Sequence, residues 1–235
     1  MNIALLGYGK MGKEIEKIAL NRKHHIVLKV DKDNANSITK ADLQKADVAI
    51  EFSTPHTVLS NIQKCFDADV PIVVGTTGWY DDLEKIKSTC QKENKSLFYA
   101  SNFSLGVNLF FKVNKYLAEL MNKYPEYDVC MEEIHHVHKL DKPSGTAITL
   151  AQQIIGKIDR KTQWSIDDNS DTTLFIEDKR EGEVPGTHII KYRSAIDDIE
   201  IIHKAHNRQG FALGSVIAAE FIKGKKGIYT MEDII

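Results

Sequence analysis

The chain has 235 residues, 42% hydrophobic and 27% charged, with 31 basic against 33 acidic side chains and a net charge of −2. That length accommodates one large domain or two modest ones, and the balanced charge argues against a nucleic-acid or membrane-surface partner. No run approaches the roughly 18 apolar residues of a spanning helix, no leader pattern precedes the first apolar run, and the scattered Cys65, Cys90 and Cys130 lack disulfide or metal spacing, so a reduced, cytoplasmic protein is expected.

Apolar runs at 3–6, 26–30, 48–52, 72–75 and 97–100 read as buried strands, and helical spacing fills 11–20, 55–68 and 80–94 between them. Strand and helix alternating at this pace predict a parallel sheet with helices on its faces, and Pro55 is expected in the first turn of its helix. From residue 106 the rhythm changes. An amphipathic helix over 106–123, a β-like run at 127–137 and a helix over 146–158 lead to strands at 172–177, 187–194 and 198–205. That grouping predicts a second domain of α+β type with a mixed, open sheet. The polar stretch 159–171 is expected as an exposed loop, and the last helical run, 212–224, fits either domain.

The segment "ALLGYGKMGKEI" carries Gly7-x-Gly9-x-x-Gly12 directly after the first strand and opening the first helix. Gly7 permits a tight turn, Gly9 lets backbone approach a phosphate, and Gly12 lets helix pack on strand. The helix start offers N–H donors and a positive dipole end to a pyrophosphate. Asp31 ends the second strand about 20 residues on, where a carboxylate accepts hydrogen bonds from the ribose hydroxyls of NAD; Lys32 beside it suits the 2′-phosphate of NADP. Two more segments fall at strand ends, "GTTG" (75–78) and "SNFSLG" (101–106). The first brings Gly75, Thr76 and Thr77, the second an amide, Asn102, where a nicotinamide would lie.

The stretch "EIHHVHKLDKPSGTA" (133–147) gathers three histidines, two lysines and two acids. His135 and His136 are adjacent and point to opposite faces of a strand. His136 and His138 can share a face, but a third ligand must come from elsewhere in the chain, so the spacing does not support a metal site. A histidine and a lysine close together handle protons, and the Gly145-Thr146 pair at a helix start offers oriented N–H donors to an anion. The combination suits a small dianionic substrate beside a nicotinamide. Glu132 and Glu133 alternate faces of the strand, His203 and His206 are expected to serve packing, and Arg208, at the return to the first domain, is a candidate tie for a hinge.

"EIHHVHKLDKPSGTA" resembles the signature of the 4-hydroxy-tetrahydrodipicolinate reductases (dihydrodipicolinate reductases), roughly E-x-H-H-x-x-K-x-D-x-P-S-G-T-A. Every specified position is met, and the glycine motif, "GTTG", "SNFSLG", "REGEVPGTH" (180–188) and "IEIIHKAHNRQGFALG" (199–214) accompany it in the family's order. The resemblance implies a Rossmann-like α/β nucleotide domain over 1–105 and 207–235, and a substrate-binding and oligomerisation domain over 106–206. It implies NADH or NADPH as cofactor, held by Gly7, Tyr8, Gly9, Lys10, Met11, Gly12, Asp31, Lys32, Gly75, Thr76, Thr77, Ser101, Asn102, Phe103 and Ser104. It makes His135 and Lys139 the proton-handling pair, His136 a substrate contact, and Gly145 and Thr146 the seat of a carboxylate of a small dicarboxylate substrate, in a homotetramer without resident metal.

One departure bears on the cofactor. Some members carry an arginine after the third strand for the NADP phosphate, and this chain has Ser53-Thr54-Pro55 there, so use of both cofactors with a lean toward NADH is expected. The sequence leaves open whether His135 or Lys139 delivers the proton. Two rival functions also stay open from the sequence alone: another nicotinamide-dependent dehydrogenase of amino-acid metabolism, and a dinucleotide sensor without turnover.

Overall fold

The computed structural model describes residues 1–207 and 209–235. The chain divides into two compact units, one formed by Met1–Asn108 with Gln209–Ile235 and the other by Leu109–Arg208. Arg208 itself lies outside the described residues.

The first unit is built on strands β1 (Asn2–Leu6), β2 (His25–Val30), β3 (Val48–Glu51), β4 (Ile72–Val74), β5 (Ser96–Tyr99) and β11 (Gly227–Tyr229). They form one sheet in the order β11-β5-β4-β3-β1-β2, parallel throughout. The inner strands β1, β3, β4 and β5 are buried on both faces because helices cover both, whereas the edge strand β2, expected as buried, exposes alternate residues. Helices α3 (Val58–Ala68) and α4 (Leu83–Lys92) bury Ile62, Phe66 and Ile86 against Ala4, Leu6 and Val74. On the other face α1 (Lys10–Asn21) and α7 (Gln209–Ile222) bury Ile15, Ala19, Val216 and Ile222 against Ile3, Leu5 and Phe98. The strand order reverses between β1 and β3, the place where open parallel sheets bind ligands.

The second unit holds β6 (Asp128–His135), β7 (Gln163–Ser165), β8 (Thr173–Arg180), β9 (Thr187–Arg193) and β10 (Asp198–Lys204), ordered β10-β9-β6-β8-β7. The sheet is mixed: β6 runs parallel to β8 and antiparallel to β9. Helices α5 (Leu105–Met121, begun in the first unit) and α6 (Gly145–Ile155) cover one face, where Phe110, Ala118, Leu150 and Ile154 pack on Val129, Met131, Ile176, Ile190 and Tyr192. The opposite face carries Cys130, Phe175 and Ile189, all half-buried, and the exposed Ile202. Glu132 points to that face, paired with Lys179 at 2.8 Å and Lys191 at 2.6 Å, while Glu133 points to the helices.

Three details differ from expectation. Residues 163–165 of the predicted loop form β7, an edge strand paired to β8. Lys161, 2% exposed, anchors it by donating to the carbonyls of Asp171 and Thr173 at 3.0 and 3.1 Å; such a short polar strand leaves no alternation to detect. Pro55 precedes α3 rather than opening it, because Thr57 and Val58 both donate to the Thr54 carbonyl at 3.1 Å and close a turn first. A four-residue helix, α2 (Lys40–Leu43), capped reciprocally by Thr39 and Asp42, and the strand β11 are additions to the predicted set.

Candidate active site

In the first unit, Gly7 has φ +101°, and a Cβ there would run into the backbone of Phe52. Only glycine allows the chain to leave β1 so close to the end of β3. A Cβ on Gly12 would strike the Gly7 carbonyl, whereas Gly9 faces open space. Helix α1 has no side-chain cap and no acid in its first turn, so its leading N–H groups match an anion. Beside them a cleft of about 570 Å³ is lined by Gly7, Tyr8, Gly9, Asp31, Lys32, Ser53 and Thr54, a size suited to half of a dinucleotide. Asp31 spends Oδ1 on the N–H groups of Asp33 and Asn34, at 2.9 and 3.3 Å, and holds its carboxylate at the rim of this cleft. Lys32 and Lys64 supply positive charge to the same cleft.

Several residues expected near the cofactor spend their side chains on the fold. Tyr8 donates to Glu16, which Lys29 also meets at 2.6 Å. Thr76 accepts from Ser53 N–H at 2.8 Å, and its carbonyl accepts from Trp79 Nε1. Phe103 is 2% exposed, its ring between Phe52 and Phe98 and its carbonyl against Gly214 of α7. Asn102 Oδ1 accepts from Ser104 N–H at 2.9 Å, and Ser104 Oγ caps α5 through Val107 N–H. Met11 packs in the core beneath α1, Lys10 and Thr77 are exposed, and Gly75 is crowded by the Phe52 ring. Glu51, fully buried at the end of β3, escaped the sequence reading. Burial raises its pKa, against hydrogen bonds from Ser53 and Asn61 that lower it.

The second unit assembles its polar site by strand register. Pairing places Glu133 opposite His188 on one side and Asp178 on the other, and His188 opposite His203. Four polar residues thus form one row on the helix-covered face, with His135 and Arg180 in the adjoining row. Glu133 is 0% exposed. Its Oε1 accepts from Ser144 N–H at 2.8 Å and its Oε2 from Ser144 Oγ. Oε2 also lies 3.5 Å from both His135 Nδ1 and His188 Nε2. Burial alone would raise the pKa of this carboxyl, but His188 and Ser144 together hold it well below the usual carboxylate range. His135 moves the other way for histidine: burial lowers its pKa to about 4, despite the opposing charge of Glu133.

The start of α6 follows from the same contacts. Ser144 Oγ accepts from Ala147 N–H at 3.1 Å, and the first intrahelical bond runs from Ile148 N–H to the Ser144 carbonyl. The first-turn donors that remain are the N–H groups of Gly145 and Thr146, and space around Gly145 is open. Lys139 follows His135 across a turn closed by Lys139 N–H to the His136 carbonyl at 3.1 Å. Its ammonium meets both oxygens of Asp141 at 2.8 and 2.9 Å. Arg180 holds this loop by donating to the carbonyls of Lys139 and Asp141 at 3.4 and 2.8 Å, itself held by Asp178. His136 lies half-buried just past the strand, and His138 is exposed, 3.4 Å from the equally exposed Glu183.

Two family models match the chain, described as dihydrodipicolinate reductase N-terminus over residues 1–103 and C-terminus over residues 106–235. The chain belongs to the dihydrodipicolinate reductase family. It is 53% identical over 237 residues to the 4-hydroxy-tetrahydrodipicolinate reductase of Christiangramia forsetii, covering 100% of this chain and 98% of that one. Against the enzyme of the same name from Neisseria gonorrhoeae it is 35% identical over 203 residues, 83% of this chain and 74% of the relative. Among solved structures, the dipicolinate-bound dihydrodipicolinate reductase from Paenisporosarcina sp. TG-14 superposes with a TM-score of 0.80 at 24% identity, covering 100% and 99% of the two chains. That likeness bears on the fold, a parallel sheet in one unit and a mixed sheet in the other, as the sequence predicted.

Membership makes the chain an NAD(P)H-dependent reductase, and the glycine loop, the free start of α1 and the cleft fit such a dinucleotide. Within this family's signature, the structure brings His135, Glu133, Ser144 and the Gly145–Thr146 donors together and ties Lys139 to the same corner through Arg180. Glu133, Ser144, His188, Asp141 and Arg180 received no role from the sequence, although all five stand in the quoted motifs. Ligand atoms of Glu133, His135 and His188 lie within 4.8 Å of one another, the one such group among the described residues. The third group comes from β9, a partner that spacing could not reveal. Both oxygens of Glu133 are already engaged by Ser144, so the geometry serves hydrogen bonding first.

Proposed function

We propose that the chain catalyses the reaction its relatives are named for, the NAD(P)H-dependent reduction of 4-hydroxy-tetrahydrodipicolinate in lysine and diaminopimelate synthesis. The observation that carries the assignment of roles is the corner of the second unit where Glu133, bonded to Ser144 N–H at 2.8 Å, joins His135 to the start of α6. Two neighbouring donors, Gly145 and Thr146, receive a substrate carboxylate at the positive end of the helix. His136, just past the strand, contacts the same substrate. When bound, NAD(P)H supplies the hydride; the residues of the first unit named above hold it, with Asp31 on the ribose and Lys32 toward a 2′-phosphate.

Proton handling divides by charge. With a pKa lowered to about 4 by burial, His135 enters the reaction as neutral imidazole, able to accept a hydrogen bond or polarise the ring but a poor proton donor at neutral pH. Lys139, an ammonium only 21% exposed, delivers the proton to the substrate carbon left electron-rich by reduction. Before reduction the hydroxyl of the substrate leaves as water, protonated by Lys139, while neutral His135 accepts the proton lost from the adjacent ring carbon; exchange with solvent restores both groups before the hydride arrives.

The half-open sheet face and the exposed Leu109, Val113, Tyr116 and Leu120 along α5 support a homotetramer, since an open sheet with apolar surface invites association. Among the described residues no helix is long and apolar enough to cross a membrane, and the free thiols of Cys65 and Cys90 are buried; we assign the protein to the cytoplasm, with neither nucleic acid nor membrane as partner. The test is oxidation of NADH by the purified protein, dependent on freshly made condensation product of aspartate semialdehyde and pyruvate. Binding of NADH without that turnover would return the function to a sensor.

A further inference from the structure

We propose that Glu133 is the positioning residue of this site, setting at once the tautomer of His135 and the orientation of the two N–H donors that open α6. The proposal rests on the roles given above to His135, Gly145 and Thr146.

A fully buried carboxylate is costly unless its lone pairs are matched. Here the matching groups are the parts that a dicarboxylate site needs held still. The Ser144 N–H and hydroxyl are both consumed by Glu133. The same hydroxyl accepts from Ala147 N–H, so the cap of α6 is locked to β6 rather than left free to rotate. With Ser144 and Ala147 N–H taken, Gly145 and Thr146 are the donors left for a ligand, pointing along the helix axis.

The other oxygen contact orients the imidazole. His135 Nδ1 is buried and, among the described residues, has no hydrogen-bond partner at bonding distance; the carboxylate oxygen Glu133 Oε2 lies 3.5 Å away. An anion there favours the proton on Nδ1, which leaves the Nε2 lone pair directed away from the carboxylate. Nε2 lies beside Gly186, where an added Cβ would stand 3.1 Å from it, so the absence of a side chain keeps that nitrogen uncovered. The ring is fixed from its side by His188, edge-on at 5.2 Å between centroids. His188 in turn contacts Ser144 Oγ at 3.2 Å. One carboxylate therefore couples the proton-handling residue to the anion seat.

Three variants separate this from a merely structural role. Ser144→Ala removes the cap and keeps the charge, so the KM for the dicarboxylate is expected to rise about tenfold, as for loss of a capping bond, with kcat nearly unchanged. Glu133→Gln keeps the size and removes the charge. It is expected to raise KM similarly and also to lower kcat by ten-fold or more, on the scale of other lost orienting groups. Nitrogen NMR of the histidine rings is expected to show the Nδ1–H tautomer for His135 in the native protein and its loss in Glu133→Gln. Glu133→Asp, which restores the charge, is expected to recover the tautomer but not the KM. Affinity for NADH stays native in all three. An unchanged His135 tautomer in Glu133→Gln, or Ser144→Ala and Glu133→Gln with native KM, overturns the proposal; should Glu133→Gln not fold, the Asp and Ser144 variants decide it. His135→Asn is run alongside: if that enzyme turns over at the native rate, the catalytic reading has failed, whereas its loss of activity beside a native-like Glu133→Gln refutes only the positioning role.

Discussion

Replacing Lys139 by alanine separates the cost of a lost ion pair from the cost of a lost proton donor. Among the described residues the ammonium is partnered by Asp141, at 2.8 and 2.9 Å, and Asp141 is 58% exposed. An ion pair open to water on one side contributes at most about 1 kcal/mol. The loop does not depend on it, because Arg180 holds the carbonyls of Lys139 and Asp141 whatever the side chain at 139. Thermal unfolding of Lys139→Ala is therefore expected within a few degrees of native. The rate behaves differently. Loss of one general acid costs about 10²–10⁴-fold, equivalent to about 3–5 kcal/mol of transition-state stabilisation. Steady-state oxidation of NADH at saturating substrate reads that loss, and the KM for NADH should not move, since the dinucleotide is held by the first unit. His135→Ala is expected to cost as much or less. His138→Ala, with its ring exposed and its carboxylate neighbour an exposed glutamate, is expected to cost little. A Lys139→Ala enzyme at native rate would refute the mechanism, and a large fall in stability with proportional loss of active protein would refute the claim that the loop is independent of the ion pair.

Cofactor choice is testable at the cleft rim: Asp31→Ala should raise the KM for NADH more than that for NADPH, and high salt should weaken NADPH use preferentially because a phosphate is read by charge. Equal effects of Asp31→Ala on both cofactors would remove that residue from the ribose. Glu51 predicts a pH effect on stability. Its folded pKa is raised by burial above the ordinary 4.5, so the native state holds the proton more tightly than the unfolded one. Its contribution is full below that ordinary value and is lost as pH rises through the folded pKa. Denaturant unfolding of Glu51→Gln should accordingly gain on the native protein as pH rises above that ordinary value, and a pH-independent difference would contradict the assignment. Exhaustive chelation with EDTA should leave activity intact; inhibition reversed by zinc would make Glu133, His135 and His188 metal ligands. Light scattering should report a tetramer at micromolar concentration, and a monomer would refute the proposed association.

What was legible in the sequence was local. The turn from β1 into α1 needs glycine at 12 because the Gly7 carbonyl fills the space of a Cβ, and at 7 because the Phe52 backbone at the end of β3 does; the glycines that answer both constraints stand in one short string of letters. The end of β6, the Lys139 loop and the start of α6 are likewise one continuous segment, and its proton-handling and anion-binding chemistry could be read from side-chain types alone. The parallel sheet was legible because five buried strands alternate with amphipathic helices. Strands of three residues, β7 and β11, show no period and are defined by the neighbour they pair with. Tertiary structure alone decided the row Asp178–Glu133–His188–His203, since it exists only through the registers of β8, β6, β9 and β10. It also decided the state of His135. A histidine's letter does not say how much water surrounds it, and here burial, more than the adjacent carboxylate, sets its charge. Glu133 opens the signature stretch, yet its side-chain type alone does not set it apart from Glu132 beside it on the strand. The strand's alternation sends Glu132 to two lysines on the open face and Glu133 into the site, and only the packing of α6 on the sheet makes that second direction the functional one.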